Sequence, residues 1–213
     1  MADATLGLLS LVQWLSPAFP TGGYAYSHGL EWAVSQGDVH DAQTVEGWLA
    51  DVLEHGAAWG DAVILACVLR GADPEALSDT VYAMAGSKER LRETCEQGAA
   101  FALAAHAIGV AQGRAYPLPI AVGLAAVGLD LPPEHVIATY LHSFASNLTS
   151  AAVRFVPLGQ NAGQGVLRGL HPLIHRLAVR ATQSTPDDIT TAAFGAEIAA
   201  MAHETQTVRI FKT

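Results

Sequence analysis

Ser27 is the residue whose surroundings come closest to a catalytic motif. It lies in the stretch Ala25-Tyr26-Ser27-His28-Gly29, which matches the G-x-S-x-G turn of serine hydrolases except for alanine at the first glycine. That turn exposes its serine because a strand precedes it and a helix follows it. Here Pro-Thr-Gly-Gly comes first and predicts a turn, so we favour a helix N-terminus entered through Gly22-Gly23. A small helical hydrolase that uses Ser27 with a distant histidine, such as His142 or His203, remains an alternative.

A glycine-rich stretch at residues 159–165 has the composition of a phosphate-binding loop. Glycines ahead of a helix expose backbone N–H groups that bind anions. A Walker loop also needs Lys-Ser or Lys-Thr after the glycines, and Val166-Leu167 stands there instead. We therefore interpret the stretch as a glycine-bent helix start. Gln160 and Gln164 are four residues apart, so a helix places both on one face, either as ordinary surface amides or as the lining of a polar channel.

Three histidines are weak candidates for metal ligands. His171 and His175 have the i, i+4 spacing that places two imidazoles on one helix face. Pro172 follows His171 and disfavours a helical conformation there. His203 lies near a predicted helix end, where the helix dipole stabilises a cation. Since no carboxylate or cysteine completes a set, we favour isolated histidines, and a metal-storage protein built on these three residues is an alternative.

The elements that position these residues are predicted to be helices. Val45, Trp48, Leu49, Val52 and Leu53 follow the apolar spacing of a helix that begins at Asp41 and ends at Gly56. Similar patterns predict helices that begin at 73–74, at Ser87 and at 132–134, a stripe over 166–177, and a last helix ending near His203. Only two short pieces, 153–158 and 207–211, resemble strands. The pattern predicts one all-α domain over residues 1–213, a bundle of roughly eight to ten helices.

Composition excludes several functional classes. The chain has 213 residues and a net charge of −9, so a nucleic-acid partner, which requires clustered basic residues, is not expected. Up to Glu96 there are 14 acidic and 4 basic residues, and such a surface suits a basic protein partner. The apolar stretches are too short to span a membrane, and no secretory signal is recognisable. Cys67 and Cys95 form no disulfide pattern, so we expect a cytoplasmic protein.

The C-terminal tail, residues 205–213, is apolar where chain ends are usually polar. Val208, Ile210 and Phe211 lie beyond the last predicted helix. They either pack on the protein's own core or await a partner that orders them. For Tyr24 and Tyr26, beside the Gly-Gly turn, two alternatives also remain: they pack in an aromatic core cluster, or they form an interface with a partner.

Three segments together resemble the UreF family of urease accessory proteins. Residues 16–31 resemble its Ser-Pro-x-x-Pro-x-Gly-Gly-aromatic-x-aromatic-Ser-x-Gly-Leu-Glu stretch, residues 157–164 its Pro-Leu-Gly-Gln-x-x-x-Gln stretch, and residues 203–213 its closing His-Glu-Thr-Gln-x-x-Arg-Leu-Phe-x-Ser. Ile210 replaces the usual leucine and Thr213 the usual serine. Three such stretches in the same order are specific to the family.

The resemblance implies an all-helical protein without catalytic activity that tends to form a homodimer. Such a protein binds the accessory protein UreD, called UreH in some organisms, and recruits the GTPase UreG. The complex delivers nickel to apo-urease, with GTP hydrolysed by UreG, which agrees with the missing Walker loop here. The metal-storage alternative then becomes a nickel store.

The resemblance also implies roles for particular residues. Residues 209–213, including Arg209, Ile210 and Phe211, are expected to dock on UreD. The same is expected of the segment that follows the Gly-Gly turn, through Tyr24, Tyr26, Ser27 and Glu31. Residues 157–164 are expected near the dimer axis, where UreG or a nickel passage lies, and the residues concerned are Pro157, Gly159, Gln160 and Gln164. Nickel in transit suits weak neutral oxygen ligands, so no stably bound cofactor is expected.

Overall fold

Helices account for nearly all the regular structure in the computed structural model, which describes residues 3–110 and 114–212. The bounds are α1 (Ala4–Trp14), α2 (Leu30–Gln36), α3 (Ala42–His55), α4 (Ala57–Leu69), α5 (Pro74–Met84), α6 (Lys88–Ala107), α7 (Leu118–Ala126), α8 (Pro133–Phe155), α9 (Gln160–Gly169), α10 (His171–Ala181) and α11 (Phe194–His203). Only Gly56 separates α3 from α4, and only Leu170 separates α9 from α10. With each bent pair counted once, the described ranges hold nine α-helices and no strand, so the predicted all-α fold is confirmed.

Capping side chains explain why the predicted helix starts are correct. Asp41 caps α3 in a reciprocal box with Thr44, whose hydroxyl accepts from the backbone N–H of Asp41. Asp73 caps α5 ahead of Pro74, and the Ser87 hydroxyl accepts from the Arg90 N–H at the start of α6. Each cap satisfies a backbone donor that has no partner inside the helix.

The core is built around α4, whose residues from Ala58 to Val68 are all buried. It packs against α3, α7, α8 and α10. The continuous stretch Ala42–Leu69 is long and apolar enough to cross a membrane, but 78% of its most apolar window is buried inside the protein. The stretch therefore serves as the central core helix of this fold.

Two details of the predicted helices were wrong. The stripe over 166–177 is divided between α9 and α10, because the chain bends at Leu170. In the helix predicted to begin at Ser87, the apolar spacing of Leu91, Cys95 and Ala102 predicts one apolar face, yet Leu91 and Cys95 are only half-buried. The buried face of α6 instead includes the polar residues Glu93, Thr94 and Gln97. The sequence pattern missed this face because polar groups partner one another there.

Gly29 sets the distance between α2 and α11. Its φ of +74° is a left-handed conformation that favours glycine. A Cβ at this position would also lie 2.6 Å from the backbone nitrogen of Ala200. Glycine at this position therefore allows α2 to lie directly against the last helix.

Candidate functional site

The C-terminal tail folds back onto the protein. Phe211 is buried, and its ring lies 5.0 Å from that of Phe155 at the end of α8. The backbone N–H of Lys212 donates to the carbonyl of Ala25 at 2.7 Å. Val208 and Ile210, in contrast, are 77% and 74% exposed. The two alternatives for the tail therefore apply to different residues, while Thr213 lies outside the described residues.

Glu31 is the residue that fixes the tail. One carboxylate oxygen accepts from the backbone N–H of Ile210 and the other from that of Phe211, both at 2.9 Å. The second oxygen also lies 3.1 Å from Nε2 of His203. Glu31 is buried on the first turn of α2, and a buried carboxylate needs such partners to offset its lost hydration.

His203 ends α11 between two carboxylates. Its Nε2 faces Glu31, and its Nδ1 lies 2.8 Å from an Oε2 of Glu89 on α6. The ring is completely buried. Both ring nitrogens therefore face a carboxylate oxygen, and neither is left for another ligand. A metal-ligating role would require His203 to leave both glutamates.

A third carboxylate, Glu96 on α6, holds the end of the tail. It accepts from the Tyr26 hydroxyl and from Arg92 at 2.6 Å each, and from Lys212 Nζ at 2.9 Å. The hydrogen bonds from Tyr26, Lys212 and Arg92 lower the pKa of Glu96 to about 2. Burial, followed by the hydrogen bond to Glu96, raises the pKa of Tyr26 well above its ordinary value.

We call the three glutamates Glu31, Glu89 and Glu96, together with the groups that they bind, the tail clasp. The bound groups belong to Tyr26, His203, Arg209, Ile210, Phe211 and Lys212. Arg209 joins it through an ion pair of 2.6 Å with Glu89. The clasp ties α2 and α6 to the last nine described residues. The sequence identified the tail and the segment around Glu31 as unusual, but not the pairings between them, some of which span more than 100 residues.

The residues predicted to bind UreD occupy different places in this site. Tyr26, Ser27, Glu31 and Phe211 are buried, whereas Tyr24 is exposed like Ile210. In this conformation the buried residues position the tail, and the exposed ones are free to meet another molecule. Their role in partner binding remains a prediction.

The hydrolase alternative based on Ser27 is wrong. Ser27 is completely buried, so a substrate has no access to its hydroxyl. The hydroxyl accepts from the backbone N–H of Glu31 at 3.4 Å, in the turn before α2, and no strand precedes it. The proposed bases are also engaged elsewhere, since His203 lies in the tail clasp and the ring of His142 contacts that of His171.

The last helix, α11, presents a stripe of apolar side chains to solvent. Phe194, Ile198 and Met201 of α11 are exposed at the spacing i, i+4, i+7. The opposite side of α11 packs on α2. With Val208 and Ile210 of the tail, these residues form what we call the C-terminal surface.

A second polar cluster, the core network, lies inside the bundle and consists of Asp61, Arg90, Tyr140, Glu93, His28 and Gln97. Arg90 Nη2 lies 2.7 Å from both carboxylate oxygens of Asp61, and its Nη1 lies 3.2 Å from Glu93. The Tyr140 hydroxyl donates to Asp61 at 2.8 Å. Oε1 of Glu93 lies 3.0 Å from His28 and accepts from Gln97 at 2.8 Å.

The charges of the core network sustain one another. Burial opposes the charge of Arg90, yet Asp61 and Glu93 outweigh it and raise the pKa of the guanidinium. Burial also opposes the charge of Glu93, but His28 and Arg90 lower the pKa of its carboxyl. Burial and Asp61 raise the pKa of Tyr140 well above its ordinary value. These groups are therefore held in fixed charge states by their pairing, which suits a structural role.

Two clefts meet at the core network. The first opens between the α3–α4 junction, the α5–α6 turn and α11. Its volume is about 850 Å³, including the part that is open to solvent. The second lies beneath residues 14–26, against α6, α7 and α8. His28 and Glu93 line both. Thr94, in the first cleft, has a buried hydroxyl without a hydrogen-bond partner.

The residues predicted near a dimer axis lie on the surface. Gly159 precedes α9, and Gln160 and Gln164 are exposed one turn apart on that helix, with Pro157 exposed just before it. Gly163 faces inward, where a Cβ would lie 2.5 Å from Cγ2 of Val153 on α8. The two glutamines thus share one accessible face, and their role at a dimer axis or nickel passage remains a prediction.

The predicted histidine pair, His171 and His175, is exposed on α10 one turn apart, and its role as a metal-ligand pair remains a prediction. His171 begins α10 despite Pro172, which sits in the first turn where no backbone N–H is needed. Its ring lies 5.4 Å, centroid to centroid, from that of His142 on α8. Within residues 3–110 and 114–212, no group of three His, Cys, Asp or Glu side chains is placed to hold a metal ion.

Comparison with known proteins agrees with the resemblance of the three segments. The UreF family model matches residues 39–171. The urease accessory protein UreF of Cereibacter sphaeroides strain KD131 is 59% identical over 206 residues, covering 97% of this chain and 98% of that protein. The UreF protein of Paracoccus denitrificans is 50% identical, over 96% of this chain and 95% of its own length. That of Jannaschia sp. is 48% identical, over 100% of this chain and 97% of its own length. The first and last segments lie outside the matched family region, but the relatives cover them.

Proposed function

The chain belongs to the UreF family of urease accessory proteins, and we propose that it bridges UreD (UreH) and the GTPase UreG during GTP-dependent nickel insertion into apo-urease. In this proposal the protein regulates UreG and hydrolyses no GTP itself. It acts in the cytoplasm as a homodimer, and nickel is at most in transit. The observation that carries the proposal is the C-terminal surface, held in place by the tail clasp.

The C-terminal surface has the chemistry of a protein-binding site. Five large apolar side chains are exposed within residues 194–210, namely Phe194, Ile198, Met201, Val208 and Ile210. Large apolar side chains that are exposed close together in the sequence often mark a contact with another molecule. Arg209, on the same segment, adds a charge that suits the rim of such a contact. We propose that this surface binds UreD.

The tail clasp supports the same proposal because it orders the surface in advance. Ordering a flexible segment on binding costs about 1–2 kcal/mol per residue in backbone entropy. Glu31 already holds the backbone of residues 210 and 211, and Glu96 holds Lys212. A partner therefore meets a preformed apolar surface and retains more of its binding free energy.

UreG and the second copy of the chain are proposed to bind elsewhere. Gln160 and Gln164 on α9 form an accessible polar face, and we propose that it lies near the dimer axis. The acidic residues up to Glu96 favour a basic partner surface by electrostatic complementarity. GTP chemistry is assigned to UreG, since the helix after Gly159 lacks the Lys-Ser/Thr pair of a Walker loop.

Co-purification with UreD tests the assignment of the C-terminal surface. The chain is co-expressed with UreD and UreG and purified through an affinity tag. We expect Ile198→Asp and Ile210→Asp each to reduce recovered UreD at least about tenfold, because a buried unpaired charge is costly at an interface. Leu103→Asp is the matched control, since Leu103 is 72% exposed on α6.

The outcome distinguishes specific binding of UreD from non-specific apolar association. Normal recovery of UreD with both Ile variants would refute this surface as the UreD site. Equal losses with Leu103→Asp would indicate non-specific apolar association and would also refute it. Circular dichroism of each variant verifies that the helices are intact.

A further inference from the structure

Two imidazoles from different helices face each other where α8 packs on α10. His142 projects from the middle of α8, and His171 is the first residue of α10. Their ring centroids are 5.4 Å apart, and the ring planes are inclined by 51°. Both residues are exposed, so an ion or ligand in solution has access to the pair.

The separation of the rings suits a shared metal ion. A ligating nitrogen lies about 2.1 Å from the metal, which places the metal roughly 3.2 Å from the ring centroid. Two rings at a ligand–metal–ligand angle of about 90–110° then have centroids roughly 4.5–5.3 Å apart. The observed distance lies just beyond this range, so a shared ion requires rotation about the side-chain bonds that turns one nitrogen of each ring towards it.

We propose that His142 and His171 form a surface site for a divalent first-row transition-metal ion. Imidazole nitrogen suits nickel, copper and zinc ions, whereas magnesium and calcium prefer oxygen ligands. Water or a ligand from another molecule fills the remaining positions, because the described residues supply no third protein ligand. The site replaces the set expected from sequence, in which His171 was grouped with His175 and His203.

The surrounding structure favours a fixed pair. In α8 Leu141 and Ala145 are buried beside His142, and in α10 Leu173 and Ile174 are buried beside His171. The two backbones are therefore held in register by core packing, and rigid elements give more precise ligand geometry than loops.

The charge at the start of α10 is also compatible with a cation. A helix N-terminus carries a partial positive charge, which disfavours a cation at His171. The Glu46 carboxylate of α3 lies directly beside Gly169, two residues before His171, within 2.5 Å of the position that a Cβ would take. The Glu46 carboxylate thus places a negative charge at the end of α9, just before the bend at Leu170 that leads into α10.

Calorimetric titration of the untagged protein with Ni²⁺ alone tests the site. We expect one Ni²⁺ per chain, with affinity reduced at least about tenfold in His142→Ala and in His171→Ala, because each variant removes one of two ligands. His175→Ala is the matched control, since His175 is exposed one turn further along α10. Binding by the control should be unchanged.

Two results would overturn the proposal. Absence of saturable binding by the wild-type protein would exclude the site. Binding that survives His142→Ala, or that His175→Ala weakens as much as His171→Ala does, would place the ion on α10 alone. The test uses neither UreD nor UreG, so its failure leaves the proposed partner binding untouched, and loss of UreD binding leaves this site untouched.

Discussion

The tail clasp and the core network use the same helix and nearly the same chemistry for different purposes. Helix α6 contributes Glu89 and Glu96 to the clasp, and Arg90 and Glu93 to the network. In the network, both partners of every pair belong to the interior of the bundle. In the clasp, carboxylates at the edge of the bundle hold a segment that has few other contacts. The network therefore stabilises the fold, while the clasp controls the position of one surface.

This difference predicts that substitutions only one residue apart in α6 should have separable effects. Changes in the core network should lower the free energy of unfolding of the whole domain. Changes in the clasp should release residues 204–212 and affect partner binding more than stability. Local opening of this kind is common where a segment has few buried contacts.

The largest effect on stability is expected from Arg90→Ala. Removing one partner of a buried ion pair costs about 3–5 kcal/mol, because the charge that remains is uncompensated. Here Asp61 would lose its cation, and Glu93 would keep only His28 and Gln97 as partners. Urea unfolding followed by circular dichroism measures the change. Arg92→Ala is the control, because its pair with Glu96 is exposed to solvent and such pairs contribute little to stability. Similar losses for the two variants would contradict the distinction between the regions.

Deletion of residues 209–213 is expected to abolish UreD binding with helical content nearly unchanged. The deletion removes the buried Phe211 side chain, whose burial contributes about 1.5–3 kcal/mol, and it exposes the Glu31 carboxylate. Residues 209–212, the described part of this segment, belong to no helix. Co-purification measures the binding, and circular dichroism measures the helical content. Retained binding of UreD would show that the tail does not dock there.

His203→Ala should have an intermediate effect on both properties. It removes two hydrogen bonds to carboxylates, and hydrogen bonds to charged groups contribute about 1.5–3 kcal/mol each at most. We expect a lower unfolding free energy and faster digestion of the tail by carboxypeptidase. His175→Ala serves as the exposed control. If the tail of His203→Ala stayed as protected as in the wild type, Glu31 alone would suffice to hold it.

The smallest effect is expected from acidification acting on Glu96. Its pKa is lowered from 4.5 to about 2 in the folded protein, so its contribution to stability is present above pH 4.5 and is lost as the pH falls towards 2. Glu96→Gln should therefore melt at a lower temperature than the wild type near pH 7, and the difference should shrink below pH 4.5. A difference that is constant from pH 7 to pH 3 would mean that the Glu96 charge does not hold the tail. The lowered pKa of Glu93 acts in the same direction in both proteins, so it cancels in the comparison.

Local features of the fold were predictable from the sequence, and distant pairings were not. Asp41, Asp73 and Ser87 cap helices through hydrogen bonds to residues two or three positions away, so their types and spacing reveal them. Asp61 and Arg90 are 29 residues apart, and Glu31 and Ile210 are 179 apart. No periodicity encodes such pairs, because the packing of the whole bundle brings them together.

For the candidate site, the sequence indicated which segments are unusual but not which of their side chains are buried. The sequence identified the tail and the segment around Glu31 as unusual, but it could not decide which apolar residues are covered. The structure buries Phe211 and leaves Ile210 exposed, one residue apart. The apolar stripe of α11 could have been found, since the spacing of Phe194, Ile198 and Met201 places them on one helix face.

The separation of Glu31 from its backbone partners also has a consequence for the order of events during synthesis. Glu31 leaves the ribosome long before residues 210 and 211, which are 179 and 180 positions later. Until those residues emerge, the tail clasp cannot close and its glutamates have no cation or backbone donor from the tail. Contacts of such long range form late in folding. A nascent chain therefore cannot display the ordered C-terminal surface, and a partner that recognises this surface selects chains whose translation has passed residue 212.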